Sequence, residues 1–177
     1  AMYTHDIYNV VQKNMNEKAP SGTYNEQPGR VYWTKNNYYD NPKTKTVIQL
    51  TNGDEKGYQY SFNAVLTKKF DFGFTGSFGY TYTMAKDMTA NPGSSAASVW
   101  QNNVAVNSLN DPGVSYSLFS TPHRLIANAS YEVAYANMKT TVSLFYTGYQ
   151  QGRFSYTYSN DMNGDGNYSD LMYVPAS

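Results

Sequence analysis

Cysteine is absent from the sequence. That excludes a disulfide framework, a thiolate zinc site and a cysteine nucleophile. Only two histidines occur, His5 and His123, far apart in the chain, which speaks against a histidine-rich metal centre. Charge is scarce too: 13 Lys and Arg face 13 Asp and Glu, 15% of residues against roughly 25% in an average protein. The net charge is zero and no block of like charge occurs, so nucleic acid is not an expected partner. No apolar run approaches the ~18 residues of a membrane-spanning helix, an absence that says nothing about barrel strands, whose apolar face alternates with a polar one. The opening residues Ala1 to Asp6 lack a charged leader followed by an apolar core, so no signal peptide is expected in the chain as given. Glycine-rich phosphate loops, HExxH and GxSxG are all missing, and the chain is not expected to be an enzyme.

What is present is aromatic. The 177 residues include 19 Tyr, 8 Phe and 2 Trp, 16% of the chain. Few charges with many aromatics is the reverse of a disordered composition. The length suits one domain with a sizeable core. Helical periodicity is weak throughout, whereas strand alternation is strong and long.

The clearest run is Phe72 to Lys86, where Phe72, Phe74, Phe78, Tyr80, Tyr82 and Met84 share one face. Gly73, Thr75, Ser77, Gly79, Thr81 and Thr83 share the other. Gly57 to Asp71 behaves likewise, with Tyr58, Tyr60, Phe62, Ala64, Leu66 and Phe70 in register and Lys68 interrupting near one end. The two runs meet at Asp71-Phe72-Gly73, which leaves room only for a tight hairpin. A second hairpin joins Leu125–Tyr135 to Met138–Tyr149 through Ala136-Asn137. Weaker strands are expected at Met2–Lys13, Gly29–Tyr39 and Lys43–Asn52, with a turn at Asp40-Asn41-Pro42. Short ones are expected at Phe154–Tyr158 and Leu171–Val174. Long or polar connections alternate with tight turns, as in outer-membrane barrels. The aromatic faces could also fill a soluble β-sandwich. Strand length, one-sided loops and a Gly/Ser/Thr/Asn face in place of Lys/Glu/Asp favour the barrel.

Several segments, in their order, carry a resemblance. They are Gly57-Tyr58-Gln59-Tyr60-Ser61-Phe62, Gly79-Tyr80-Thr81-Tyr82-Thr83-Met84-Ala85-Lys86-Asp87, Thr121-Pro122-His123-Arg124-Leu125, and Ser143-Leu144-Phe145-Tyr146-Thr147-Gly148-Tyr149. Asp161-Met162-Asn163-Gly164-Asp165-Gly166 and Asp170-Leu171-Met172-Tyr173-Val174-Pro175 complete the series. The chain resembles the barrel domain of TonB-dependent outer-membrane receptors of the Oar-like and SusC-like group found in Bacteroidetes. The resemblance implies an all-β fold of long antiparallel meander strands, part of a transmembrane up-and-down β-barrel. Residues 1–177 would be a partial barrel domain of about seven or eight strands, an internal fragment of a plugged barrel of 22 strands. The plug domain and the barrel C-terminus would lie outside it. The resemblance further implies a place in the cell outer membrane, nutrient uptake, contact with membrane lipid, coupling to TonB and the plug in the parent, and a surface lipoprotein as a further partner. The alternative function is a soluble, secreted β-sandwich that binds glycans with a calcium-stabilised loop. A free-standing eight-stranded surface barrel is a third reading.

One segment has chemical specificity of its own. Asp161, Asn163, Asp165, Asn167 and Asp170 place oxygens at positions 1, 3, 5, 7 (through the carbonyl) and 10 of a loop with glycine at position 6. That is the first half of a Ca²⁺ loop, though position 12 is Met172 and not the bidentate Glu of an EF-hand. A plain Asn/Asp/Gly turn cluster is the bland reading. Trp100, in the long loop, is the candidate loop anchor or ligand contact; Tyr116, Tyr149 and Tyr156 are candidate ligand contacts, with an interfacial aromatic girdle as the competing role. His123 lacks a catalytic partner and is expected at a water interface, with Arg124 paired to a carboxylate.

Overall fold

The computed structural model describes residues 1–27, 29–34, 37–39 and 46–174. In chain order the elements are β1 (Met2–His5), β2 (Val10–Asn14), β3 (Gly22–Thr23), β4 (Val31–Tyr32), β5 (Ile48–Asn52), β6 (Tyr58–Lys69), β7 (Phe74–Asp87), α1 (Ala96–Asn102), β8 (Ser115–Tyr116), β9 (His123–Tyr135) and β10 (Met138–Tyr149). The protein is all-β with antiparallel sheets, and its strands do not close into a barrel among the described residues. It divides into two units. The first comprises Ala1–Thr4, Tyr58–Ala85 and Leu118–Arg153; the second comprises His5–Gly57, Lys86–Ser117 and Phe154–Ser177.

The first unit is one sheet with strand order β1-β6-β7-β9-β10. Two tight turns set its register. Between β6 and β7, Phe70 N–H donates to the Phe74 carbonyl at 2.8 Å and Gly73 N–H to the Phe70 carbonyl at 3.2 Å. Gly73 has φ +91°, and a Cβ there would strike the Glu132 carbonyl, so glycine is required twice over. Between β9 and β10, Tyr135 faces Met138 across the two residues Ala136 and Asn137. From these turns the alternation propagates without a slip. Tyr131 of β9 faces Phe74 of β7 and Val142 of β10, and Ala127 faces Phe78 and Tyr146. The Tyr60 hydroxyl reaches the Met84 sulfur at 2.8 Å, which sets the even-numbered residues of β6 on the same side. The opposite face carries Thr75, Ser130 and Ser143 in one row and Gly79, Ile126 and Thr147 in another.

The apolar face of this sheet is open. Leu66, Val142 and Leu144 are 71%, 68% and 72% exposed, and no aliphatic or aromatic side chain of the first unit other than Pro122 is buried among the described residues. At ~25 cal/mol per Å² such a face represents a large driving force left unused in water.

The second unit has a core of its own. Strands β2 and β5 pair antiparallel, from Val10 with Asn52 to Asn14 with Ile48, and β3 pairs with β4 over two residues. β8 pairs with the end of β7 through Lys86 and Asp87. Helix α1 starts at a capping box in which Ser95 and Ser98 satisfy each other's backbone N–H groups. The helix buries Val99 and Trp100. Trp100 packs with Ala105 and Leu109, and Ile48 lies against them. Val11, Trp33 and Met88 are the other large buried apolar residues. Asparagines thread this core. Trp100 Nε1–H donates to Asn110 Oδ1 at 2.9 Å, and Asn14 Oδ1 accepts from the backbone N–H of Asn16 at 3.1 Å and of Val47 at 3.0 Å.

The long strands match the sequence reading, and the weaker ones do not. Met2–Lys13 is two strands, β1 and β2, in different sheets, because the chain bends between His5 and Val10. Gly29–Tyr39 contracts to β4 plus an isolated bridge of Tyr38 with Glu17. Lys43–Asn52 begins at Ile48, pairs with β2 and does not continue the meander into β6; its first residues, like the Asp40-Asn41-Pro42 turn, lie outside the described residues. Phe154–Tyr158 and Leu171–Val174 form a single bridge, Thr157 with Leu171, and no strand. The long loop of residues 87–122 contains a helix that the weak helical periodicity concealed.

Candidate functional site

The Asp161–Asp170 loop is wound around its own acidic side chains. Asp161 accepts from Gly164 N–H at 2.7 Å and from Gly166 N–H at 2.9 Å, one bond to each carboxylate oxygen. Asn163 Oδ1 accepts from Asp165 N–H at 2.9 Å, and Asp165 Oδ1 from Asn167 N–H at 2.7 Å. Asp170 closes the loop by accepting from Met162 N–H at 2.9 Å and, more weakly, from Asn163 N–H at 3.4 Å. Gly164 and Gly166 hold φ +82° and +86°, the left-handed conformation that lets successive side-chain oxygens turn inward. Asn163, Asp165 and Asp170 are 2–3% exposed, far deeper than a solvated turn cluster would place them.

Residues distant in sequence hold the loop in place. Trp33 N–H donates to the Asn163 carbonyl at 2.7 Å, and a Cβ on Gly164 would collide with the Trp33 carbonyl. The Tyr24 hydroxyl donates to the Met162 carbonyl at 2.9 Å, and the Tyr38 hydroxyl to the Asp165 carbonyl at 3.0 Å. Arg30, fully buried, donates from Nη2 to the Leu171 carbonyl and lies over the Tyr158 ring at 5.6 Å. A cavity of about 500 Å³ lies beside Glu17, Trp33, Asn107 and Asn110.

Burial dominates the electrostatics. It raises the Asp165 carboxyl to about 6, with Asp170 and Asp161 adding to the shift. Burial also raises Asp170 against the pull of its backbone hydrogen bonds and of Arg30. Glu17, on the segment after β2, is pushed to about 8 by burial and by the Asp165 charge. The Tyr38 hydroxyl rises to about 12, by burial and by the charges of Asp165 and Glu17. A site that destabilises its own carboxylates in this way favours a positive partner. Its oxygen donors (carboxylate, amide and carbonyl) are those of a hard cation such as Ca²⁺. Among the described residues no three His, Cys, Asp or Glu side chains converge on one point, so amide and carbonyl oxygens would have to complete any such shell.

The other expected site residues fare differently. Trp100 is 1% exposed and its N–H is bonded to Asn110, so it is an internal anchor of the second unit and not a ligand contact. Tyr116, Tyr149 and Tyr156 are exposed at 43%, 68% and 69%. Tyr116 lies under the Lys86 ammonium at 4.9 Å, Tyr149 sits opposite Arg124 at the end of β10, and Tyr156 meets Phe154 edge-on at 5.5 Å. His123 accepts or donates a 2.7 Å bond with the Tyr80 hydroxyl and packs against Tyr82. Arg124 is exposed and makes no ion pair among the described residues; the pair in this unit joins Lys139 to Glu132 at 2.9 Å. Sequence reasoning missed Glu17, Arg30, Tyr24 and Trp33.

Comparison of the chain with protein-family models, with curated proteins and with solved structures found no match.

Proposed function

We propose that the chain is a stretch of wall and loop from a TonB-dependent outer-membrane receptor that takes up a nutrient. One observation carries this reading. The first unit is a sheet whose four long strands run 12–14 residues and whose aromatic and aliphatic face is half-buried to exposed, while its other face is mostly small and polar. A barrel strand needs ~9–11 residues to cross a bilayer, with an apolar band outward and polar residues inward. Connectivity agrees. The two tight turns, at Phe70–Gly73 and Ala136–Asn137, lie at one end of the strands. Every long excursion of the chain, after His5, Asp87 and Tyr149, leaves from the other end. This is the short-turn and long-loop asymmetry of outer-membrane barrels. The sheet's outer strands, β1 and β10, would pair with further strands of the parent, since an open edge invites pairing. A β-sandwich would bury the aromatic face between two sheets, whereas here one sheet carries it alone.

The test is the intact mass and cell fraction of the native polypeptide, detected with an antibody raised to this chain. A band several-fold heavier than 19.9 kDa in the outer membrane is expected. A band near 20 kDa in the soluble fraction would overturn the proposal and make glycan binding the next thing to test.

A further inference from the structure

The cavity of about 500 Å³ in the second unit has the size of a small-molecule site, which runs from roughly 300 to 1,000 Å³. Its wall comes from three segments distant in sequence, within residues 17–20, 29–33 and 107–111. Glu17, on that wall, is buried, and its Oε1 has no hydrogen-bond partner. The buried acids of the neighbouring loop differ, since Asp165 and Asp170 both accept backbone N–H bonds. A buried carboxylate oxygen left unpaired is destabilised until something positive meets it. Neither Lys18 nor Arg30 does so: the Lys18 ammonium stands over the Tyr39 ring at 6.0 Å, and Arg30 is committed to the Leu171 carbonyl and the Met162 sulfur. A second acid on the wall, Asp111, is exposed and makes no ion pair among the described residues. The rest of the wall includes apolar surface from Val31 and Trp33, whose indole is fixed by a 2.8 Å bond from Nε1 to the Lys18 carbonyl.

We propose that this cavity binds a small organic ammonium ion, with Glu17 as its counter-charge, Asp111 as a second negative charge on the wall, and Trp33 and Val31 against its carbon body. Indole is the aromatic group that attracts an ammonium best. A bare metal ion fits this wall poorly, because among the described residues no three acidic side chains converge and a hard cation needs several oxygens at once. A carbon-bearing cation needs fewer oxygens and uses the apolar part of the wall. A neutral ligand would leave the Glu17 oxygen without a counter-charge, and an anion would face both acids. The inference does not rest on the membrane reading, because every residue in it belongs to the second unit.

The experiment titrates three probes of one size into the full chain in a non-ionic detergent: butylammonium chloride, 1-butanol and sodium butyrate. Calorimetry reads the binding, and tryptophan fluorescence places it, since both tryptophans lie in this unit and Trp33 lines the cavity. Butylammonium is expected to saturate and to bind roughly tenfold more tightly than either control. Glu17→Gln keeps the shape and removes the charge, and should weaken butylammonium roughly tenfold while leaving the weak binding of butanol unchanged. Lys18→Met removes the like charge from the wall and should tighten it. Asp111→Asn, at an exposed position, should weaken it roughly twofold without moving the melting temperature, and carries the test if Glu17→Gln does not fold. Butylammonium that fails to saturate, or that binds no better than butanol or butyrate, overturns the proposal. So does a folded Glu17→Gln chain, or in its place an Asp111→Asn chain, that binds butylammonium as tightly as the wild type.

Discussion

The two units of this chain solve opposite problems. The first has long, regular strands and exposed apolar side chains; Leu144 is 72% exposed, and among the described residues only Pro122 of its apolar residues is buried. The second has short strands, one short helix and long irregular segments, yet it buries Val11, Trp33, Met88, Val99, Trp100, Ala105 and Leu109. Regular hydrogen bonding without burial contributes little net stability in water, since each backbone bond replaces one to solvent. Burial is what offsets chain entropy. On the reading proposed above, the first unit meets an apolar medium outside it, whereas the second carries its apolar core within. The polar residues invert as well. In the first unit they sit on the open, small-residue face, and in the second Asn14, Asn16, Glu17, Arg30 and Asp165 are buried with the core.

The sharpest way to break this contrast is Trp100→Ala. Removing a fully buried indole costs about 3–5 kcal/mol and here also removes one of the two hydrogen bonds that Asn110 Oδ1 accepts, the other coming from Asn14 N–H. Trp33, buried at 6% exposure, remains as the reporter. Its fluorescence should show the second unit unfolding at markedly lower urea, and an unchanged midpoint would mean that the helix is not part of that unit's core. Next in size is Leu144→Arg on the open face. In lipid vesicles it should destabilise by about 2–4 kcal/mol, the cost of a cation near the bilayer centre. Thr141→Arg, on the small polar face of the same strand, should cost much less. If the open face meets water and not lipid, Leu144→Arg becomes neutral, because an exposed side chain loses no burial when it gains charge.

The same contrast explains what could be read from the sequence. The first unit was legible because period-2 alternation runs for a dozen residues at a time and tight turns fix its register locally; a slip by one residue would exchange the faces, so the pattern admits one answer. Val65, Ile126 and Phe145, apolar on the polar side, are among its exceptions. The second unit was hardly legible. Its strands β3 and β4 span two residues each, too short for periodicity to register. Its helix is capped by Ser95 and Ser98, a weaker signature than the Ser-x-x-Glu form. Of the loop, the Asp161, Asn163, Asp165 and Gly166 spacing was visible because those ligands are contiguous. Its supports were not, because Tyr24 and Met162 are 138 residues apart, and nothing local in Tyr24 or Glu17 announces such a partner. Local chemistry is written in neighbours, and a core of long-range polar contacts is not.

The smallest effect bears on the part of the first unit that owes nothing to its surroundings. Ala136 opens the β9–β10 turn with φ +49°, a left-handed conformation in which its Cβ crowds the backbone. Two-residue hairpin turns of this sort prefer Asn-Gly or Gly at such positions. Ala136→Gly removes the crowding, although glycine also loosens the unfolded chain, and the two effects act in opposite directions. With a strain of roughly 1–2 kcal/mol relieved against ~0.5–1 kcal/mol of added entropy cost, a net gain of up to about 1 kcal/mol is expected. It should appear as a higher urea midpoint for the sheet in vesicles, with the tryptophan-reported transition of the second unit unmoved. The size of that gain should not depend on the lipid, because the turn is an exposed end of the hairpin and its strain is internal to the backbone. If the gain follows bilayer thickness or composition, the turn lies within the membrane, and the end of the strands assigned to it would have to be moved.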